Sequence, residues 1–190
     1  MSETTVVGID LSLTSTGLCW KKGSEFGVAS VKTVPKNFAC DLLRYRHIVD
    51  CVMAFIPEDV SLIVIEDFFT PANKAQIGSA MKLIGVDHLV RMAMFEAGLP
   101  FLIPAPSQLK KFVSGNGNCP KDMICKEVYK RWNVDTKDDD QADAVVGAHL
   151  AEAMTIKLRG GDISSYAKFQ TDVMKVIAAD RPFYNKECFK

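Results

Sequence analysis

Three short stretches at the start of the chain, residues 5–10, 16–21 and 26–33, are rich in apolar and β-branched side chains, and are joined by "SLTS" and "KGSE". Those connections have the composition of tight turns, so the pattern predicts an antiparallel three-stranded meander. Beyond "PKN" the period changes: Tyr45, Ile48, Val52 and Phe55 recur at helical spacing, and Pro57 ends that helix. The next run, "SLIVIE" at 61–66, is apolar without alternation, as a strand covered on both faces of a parallel sheet should be. A helical stretch from about 75 to 97 stops at Gly98, "LPFLIP" supplies a fifth strand, and "APSQLKKFV" leads into two further helical stretches.

Strands separated by helices require right-handed crossovers. The expected fold is therefore α/β, with a mixed five-stranded sheet made of the antiparallel meander plus two parallel strands, flanked by helices on both faces. At 190 residues and 48% hydrophobic the chain suits one core better than two, and it contains no internal repeat or low-complexity segment. The last segment, 160–190, follows "RGG", carries a weak helical pattern (Phe169, Val173, Val176, Ile177) and ends in the aromatic "RPFYNKECFK". It is read as a C-terminal extension of unassigned role behind a domain spanning 1–159.

Against this apolar pattern one residue stands out. Asp10 closes the first strand in "VVGIDLSLTSTGLCW", where a carboxylate costs several kcal/mol unless it is paired or bound to a metal. Glu66 closes the most apolar strand in the same way, and in α/β sheets such strand ends are where ligands and catalytic groups collect. Within "DDDQADAVVGAHLA", Asp140 and Asp143 are three apart and share one helix face, with Gly147 one turn further along that stripe. A residue without a side chain there lets the helix approach the sheet. Four carboxylates gathered in one place repel one another, and a hard divalent cation with oxygen ligands relieves that repulsion. Each acid also has a plainer reading: the "DDD" run as a helix cap, and Asp10 and Glu66 as loop-capping strand ends. It is the combination that points to a metal site.

Composition narrows the partners. Lysine plus arginine and aspartate plus glutamate both number 23, with a pI near 6.8, so no overall basic field marks a nucleic-acid binder. Charge is uneven, however: between positions 110 and 137 seven basic residues face three acidic ones. Lys121 is the most suggestive of them, because the glycine-flanked "GNG" before it lets backbone and ammonium approach a phosphate. The six cysteines form no C-x-x-C pair and read as free thiols. The N-terminus has no signal-like apolar stretch, and no run of about 18 apolar residues occurs, so no membrane role and a reducing, cytoplasmic setting are expected, in a bacterium or in a virus-infected cell.

These residues resemble the RuvC-like Holliday-junction resolvases of the ribonuclease-H-like superfamily, over roughly 6–153. That family places one aspartate on its first strand, a glutamate at the end of its fourth and two acids three apart in its last core helix; the matching positions are Asp10, Glu66, Asp140 and Asp143. "EDFFTPAN" resembles its segment of Glu, a bulky aromatic and Asn, which maps Phe69 and Asn73, and "GNGNCPK" resembles its G-x-G-x-A-x-K, which maps Gly115, Gly117 and Lys121. Cys119 stands at the usual alanine position, followed by Pro120. The resemblance implies a metal-dependent endonuclease that resolves four-way junctions and other branched DNA by paired nicks. It implies Mg²⁺, replaceable by Mn²⁺, with two ions per site held by the four carboxylates, Asp10 between the ions. It implies DNA contacts from Phe69, Asn73, Gly115, Gly117 and Lys121, to which the local charge adds Lys110 and Lys111.

Three questions stay open at this level. Ser12, Thr14 and Ser15 could hold the Asp10 carboxylate or only shape their turn. Phe69 could stack on an unpaired base or be core, although of Phe68 and Phe69 one should be exposed. The 75–97 helix is apolar on more than one side (Ile77, Met81, Ile84, Val86, Leu89, Val90, Met92, Met94), which fits either core burial or a homodimer face. Two rival functions are a catalytically silent junction binder and an ATPase of the actin and sugar-kinase kind, whose D-x-G-x-T-x-x-G loop "GIDLSLTSTG" resembles. The ATPase reading needs a second, duplicated domain, and the distant D-x-x-D and the glycine-lysine loop favour the nuclease.

Overall fold

The structure, a computed structural model, describes residues 4–68 and 77–180. Thr5–Asp10 (β1) lies at the centre of a five-stranded sheet, antiparallel to Ser15–Lys22 (β2), which in turn pairs antiparallel with Glu25–Lys32 (β3). On its other side β1 runs parallel to Val60–Ile65 (β4), and β4 runs parallel to Phe101–Leu102 (β5), giving the order β3-β2-β1-β4-β5. This is the mixed sheet expected from the sequence. The fifth strand is shorter than "LPFLIP" because prolines bracket it and cannot donate to a ladder. Their carbonyls still accept, Pro100 from the Ile63 N–H and Pro104 from the Asp67 N–H, both at 3.0 Å.

Alternation along the central strands sorts side chains to two layers. Val7 and Ile9 of β1, with Ile63 and Ile65 of β4, pack against Asp41–Phe55 (α1) and Ile77–Glu96 (α2) through Tyr45, Ile48, Val52, Val86, Val90 and Met94. On the opposite face Val6, Leu62 and Val64 meet Pro106–Ser114 (α3), Lys121–Trp132 (α4) and Asp139–Leu158 (α5). Both faces of β1 and β4 are thus dry, which is why these strands are apolar without interruption.

A last helix, Lys168–Asp180 (α6), belongs to the same second layer: Val173, Met174 and Ile177 are buried among α3, α4 and α5 side chains. The helical pattern read from Phe169, Val173, Val176 and Ile177 holds, with one change. Val176 is half exposed, and the buried stripe runs instead through Gln170, Val173, Met174 and Ile177. Among the described residues no helix is long and apolar enough to cross a membrane, and the five cysteines there are free.

Candidate active site

The parallel register of β1 and β4 pairs Ile9 with Ile65, and the ladder continues one step to a Glu66 N–H donating to the Ile9 carbonyl at 3.1 Å. Asp10 and Glu66 therefore leave the sheet side by side. They line one cavity of about 150 Å³, together with Asp67, Phe68, Asp87 and Pro106.

α5 lies across this strand end, and glycine lets it do so. A Cβ on Gly8 would fall 2.0 Å from the Ala144 carbonyl oxygen, and one on Gly17, the antiparallel partner of Asp10, 2.0 Å from that of Asp140. From the helix side, a Cβ on Gly147 would meet the Gly8 Cα at 3.2 Å. The glycine expected to bring helix and sheet together does so, with two further glycines in the strands. The "DDD" run divides its labour: Asp138 caps α5 by accepting the Gln141 N–H at 3.0 Å, Asp139 pairs with Lys121 at 3.3 Å, and Asp140 opens the face that carries Asp143.

The electrostatics show which acids share a site. Burial, then Glu66, Asp143 and Asp140 in turn, push the Asp10 carboxyl well above the usual carboxylate range, while Lys121 draws it back. Glu66 rises to about 7 through burial and then Asp143, against the pull of Lys121 and Lys110. Asp143 rises to about 6, again mainly through burial. Burial alone would lower Lys121, but its bond to Asp139 and the fields of Asp139, Asp143 and Asp10 raise it overall. Asp10 thus feels all three other acids, and burial makes Asp10, Glu66 and Asp143 costly to leave ionised without a counter-charge.

Such a donor set, all oxygen and in need of positive charge, fits a hard divalent cation and neither a soft metal nor an organic cofactor. Among the described residues no three acidic, histidine or cysteine side chains converge into a ready-made coordination shell. The carboxylates interact at Coulomb range.

The basic residues separate by position. Lys110 and Lys121 act on the carboxylates, whereas the field of Lys111 falls on Asp172 of α6. Gly115 caps α3 in a left-handed conformation (φ 83°), which favours glycine, and a Cβ on Gly117 would stand 3.1 Å from the Ser107 carbonyl oxygen. Both glycines have a local structural reason. Phe69 and Asn73 lie outside the described residues; the neighbouring Phe68 is partly buried, with the Arg91 guanidinium 5.8 Å from its ring centroid.

Of the hydroxyls after Asp10, Ser12 and Thr14 serve their turn, with Thr16 Oγ1 donating to the Ser12 carbonyl at 2.8 Å and Ser12 Oγ 3.3 Å from Thr14 Oγ1, whereas the buried Ser15 Oγ has no hydrogen-bond partner among the described residues. Buried Arg44 of α1 ties this turn down, donating through Nε to Thr33 Oγ1 at 2.8 Å and through Nη2 to the Leu13 carbonyl. Sequence reasoning missed one further feature of the cavity. Asp87, almost fully buried on α2, accepts from Arg91 Nε at 2.9 Å, and Arg91 also reaches Asp67, the residue after Glu66, at 3.1 Å. An aspartate and an arginine four apart inside "VDHLVRM" was the available signal.

The model of the family described as "Crossover junction endodeoxyribonuclease RuvC" matches residues 6–151. A protein of that name from Rhodopirellula baltica is 25% identical over 84% of this chain and 86% of its own length. One from Corynebacterium glutamicum is 31% identical, covering 74% of this chain and 65% of the relative. Among solved structures, T. thermophilus RuvC in complex with a Holliday junction substrate superposes with a TM-score of 0.57 at 24% identity, over 79% of this chain and 94% of the other, a likeness of fold. The sheet with its two adjacent strand-end acids, the helix that brings two more over them, and a family match over most of its length place this chain in the RuvC family of crossover junction endodeoxyribonucleases.

Proposed function

We propose that this chain resolves Holliday junctions and other branched DNA by Mg²⁺-dependent phosphodiester hydrolysis, with Mn²⁺ able to substitute, and that it acts as a homodimer making paired nicks. The observation that carries the chemistry is the register that sets Asp10 beside Glu66, under a helix whose glycine contacts bring Asp140 and Asp143 to the same strand end. These four carboxylates would hold the cations. Two bound divalent ions supply the positive charge that offsets the attacking and leaving oxygens of an in-line displacement at phosphorus. Burial and mutual repulsion raise Asp10, Glu66 and Asp143, and a bound cation would relieve that repulsion in competition with protons, so metal uptake should strengthen as pH rises. Lys121 and Lys110 stand on the site's edge as the groups to hold a phosphodiester, and the glycine loop 115–117 carries backbone close to it. Phe69 and Asn73 keep their role as DNA contacts on the strength of the motif alone.

Support for the homodimer comes from apolar surface. Leu42 and Leu43 on α1 and Met81, Leu89 and Met92 on α2 are exposed, and Leu42, Leu43, Val49 and Leu89 border a groove of about 320 Å³. A two-fold pair would present two identical sites to symmetry-related strands of a junction. The test is strand-resolved nick mapping on a synthetic four-way junction and on a linear duplex of the same sequence. Symmetric Mg²⁺-dependent nicks confined to the junction, from a species of twice the chain mass in light scattering, are the expected result. Junction binding with no nicking at any Mg²⁺ or Mn²⁺ concentration would favour the silent binder.

A further inference from the structure

The helix α6 lies beyond the residues matched by the family model, yet it touches the glycine loop. The Phe169 ring lies against Gly115, with its nearest atom 3.6 Å from where a Cβ would stand. Arg131, in the last turn of α4, places its guanidinium 5.1 Å from the centroid of the same ring, donates through Nε to the Val113 carbonyl at the end of α3, and pairs with Glu127 at 3.5 Å. Phe169 and Arg131 therefore clamp the point where α3 turns into the loop, and α6 is itself fixed by the burial of Val173, Met174 and Ile177. The other end of the loop is Lys121, which faces Asp139 and the acidic site. The loop is only five residues long between Gly115 and Lys121, so displacement of its first residue is passed to the last.

We infer that Phe169 of α6 is a positioning residue for the reaction: it seats the loop from Gly115 to Lys121 so that Lys121 meets a DNA phosphate beside the carboxylates. This rests on the reading above, in which that loop contacts DNA. An aromatic ring suits the task because it fills the space over a glycine and gives Arg131 a face to lie on, which holds helix end, loop and α6 in one arrangement. The ring does not touch the reacting atoms, so its effect should appear in binding and not in the rate of the bound complex.

The experiment measures junction affinity by titration in Ca²⁺ or without metal, and single-turnover nicking at saturating protein in Mg²⁺, for wild type, Phe169→Ala, Phe169→Tyr, Lys121→Ala and the Phe169→Ala/Lys121→Ala pair. Phe169→Ala should weaken junction binding about fivefold with the saturated nicking rate within twofold, and Phe169→Tyr should restore affinity. The double variant should bind no more weakly than Lys121→Ala, because Phe169 acts through that lysine. Should Phe169→Ala lose the fold, Phe169→Leu, which keeps the packing but not the ring under Arg131, carries the same comparison. Unchanged affinity in Phe169→Ala beside a weakened Lys121→Ala, or additive losses in the double variant, overturns the inference alone. Unchanged affinity in Lys121→Ala overturns the reading of the loop and the inference with it.

Discussion

Gly17 and Asp140 touch backbone to backbone: a Cβ on Gly17 would lie 2.0 Å from the Asp140 carbonyl oxygen, and Gly17 is the strand partner of Asp10. The distance from the first carboxylate to the helical ones is thus set by main chain. Gly17→Ala or Gly8→Ala must push α5 off the sheet, at a cost of at least about 3 kcal/mol, or roughly 6–12 °C in Tm for a chain of this size. Gly147→Ala, 3.2 Å from the Gly8 Cα, should cost about 1 kcal/mol, since better helix propensity offsets part of the strain. Thermal melts of the three variants check this order.

That relationship also shows where the sequence was readable. That Asp10 and Glu66 each end a buried strand was legible from two apolar runs that close on an acid; that the strands are neighbours was not, since an apolar run reports burial and not strand order. Gly147 was legible because it continued the stripe of Asp140 and Asp143. Gly8 and Gly17 were not, since a glycine in a strand pattern has several uses and only the helix packed over it selects one. Asp87 and Arg91 were hidden in a helix apolar on more than one side, where the buried face cannot be told from the exposed one. The role of α6 was obscured because its buried stripe includes the polar Gln170 and its exposed side the apolar Val176.

Protons on the site should make the metal-free protein less stable as pH rises. Glu66 titrates near 7 in the folded chain against 4.5 as an ordinary carboxyl, and Asp143 near 6 against 3.8. The folded state therefore holds protons that the unfolded chain has released, and the stability this gives is present below about pH 4 and lost as pH climbs through 6 and 7. In EDTA, Tm should fall from pH 5 to pH 8, by the equivalent of about 2–3 kcal/mol. Glu66→Gln should flatten this fall, and Mg²⁺ should reverse it at pH 8. Calorimetry across that range with and without EDTA decides the matter.

Arg91 is the counter-charge of an almost fully buried carboxylate. Arg91→Met should cost about 3–5 kcal/mol by leaving the buried Asp87 carboxylate with only the His88 ring, at 3.8 Å, as a counter-group, and Asp87→Leu added to it should recover much of the loss. Denaturant unfolding of the single and double variants measures both steps.

The neighbours Lys110 and Lys111 should differ sharply. Lys110 acts on Glu66 and Asp143, whereas Lys111 acts on Asp172 of α6. Lys110→Ala should weaken junction binding several-fold and reduce the slope of log affinity against log salt by about 0.9, while Lys111→Ala should leave both nearly unchanged. Titrations at three or more salt concentrations compare them.

The proposed chemistry has Asp10, with Glu66, Asp140 and Asp143, working through a divalent cation to cut branched DNA. Its most direct test is single-turnover nicking of a synthetic four-way junction in Mg²⁺ and in EDTA, wild type beside Asp10→Asn. Nicking by wild type only in Mg²⁺, a loss of at least a hundredfold in Asp10→Asn, and junction binding retained by the variant are expected. Full nicking by Asp10→Asn, or by wild type in EDTA, would contradict it.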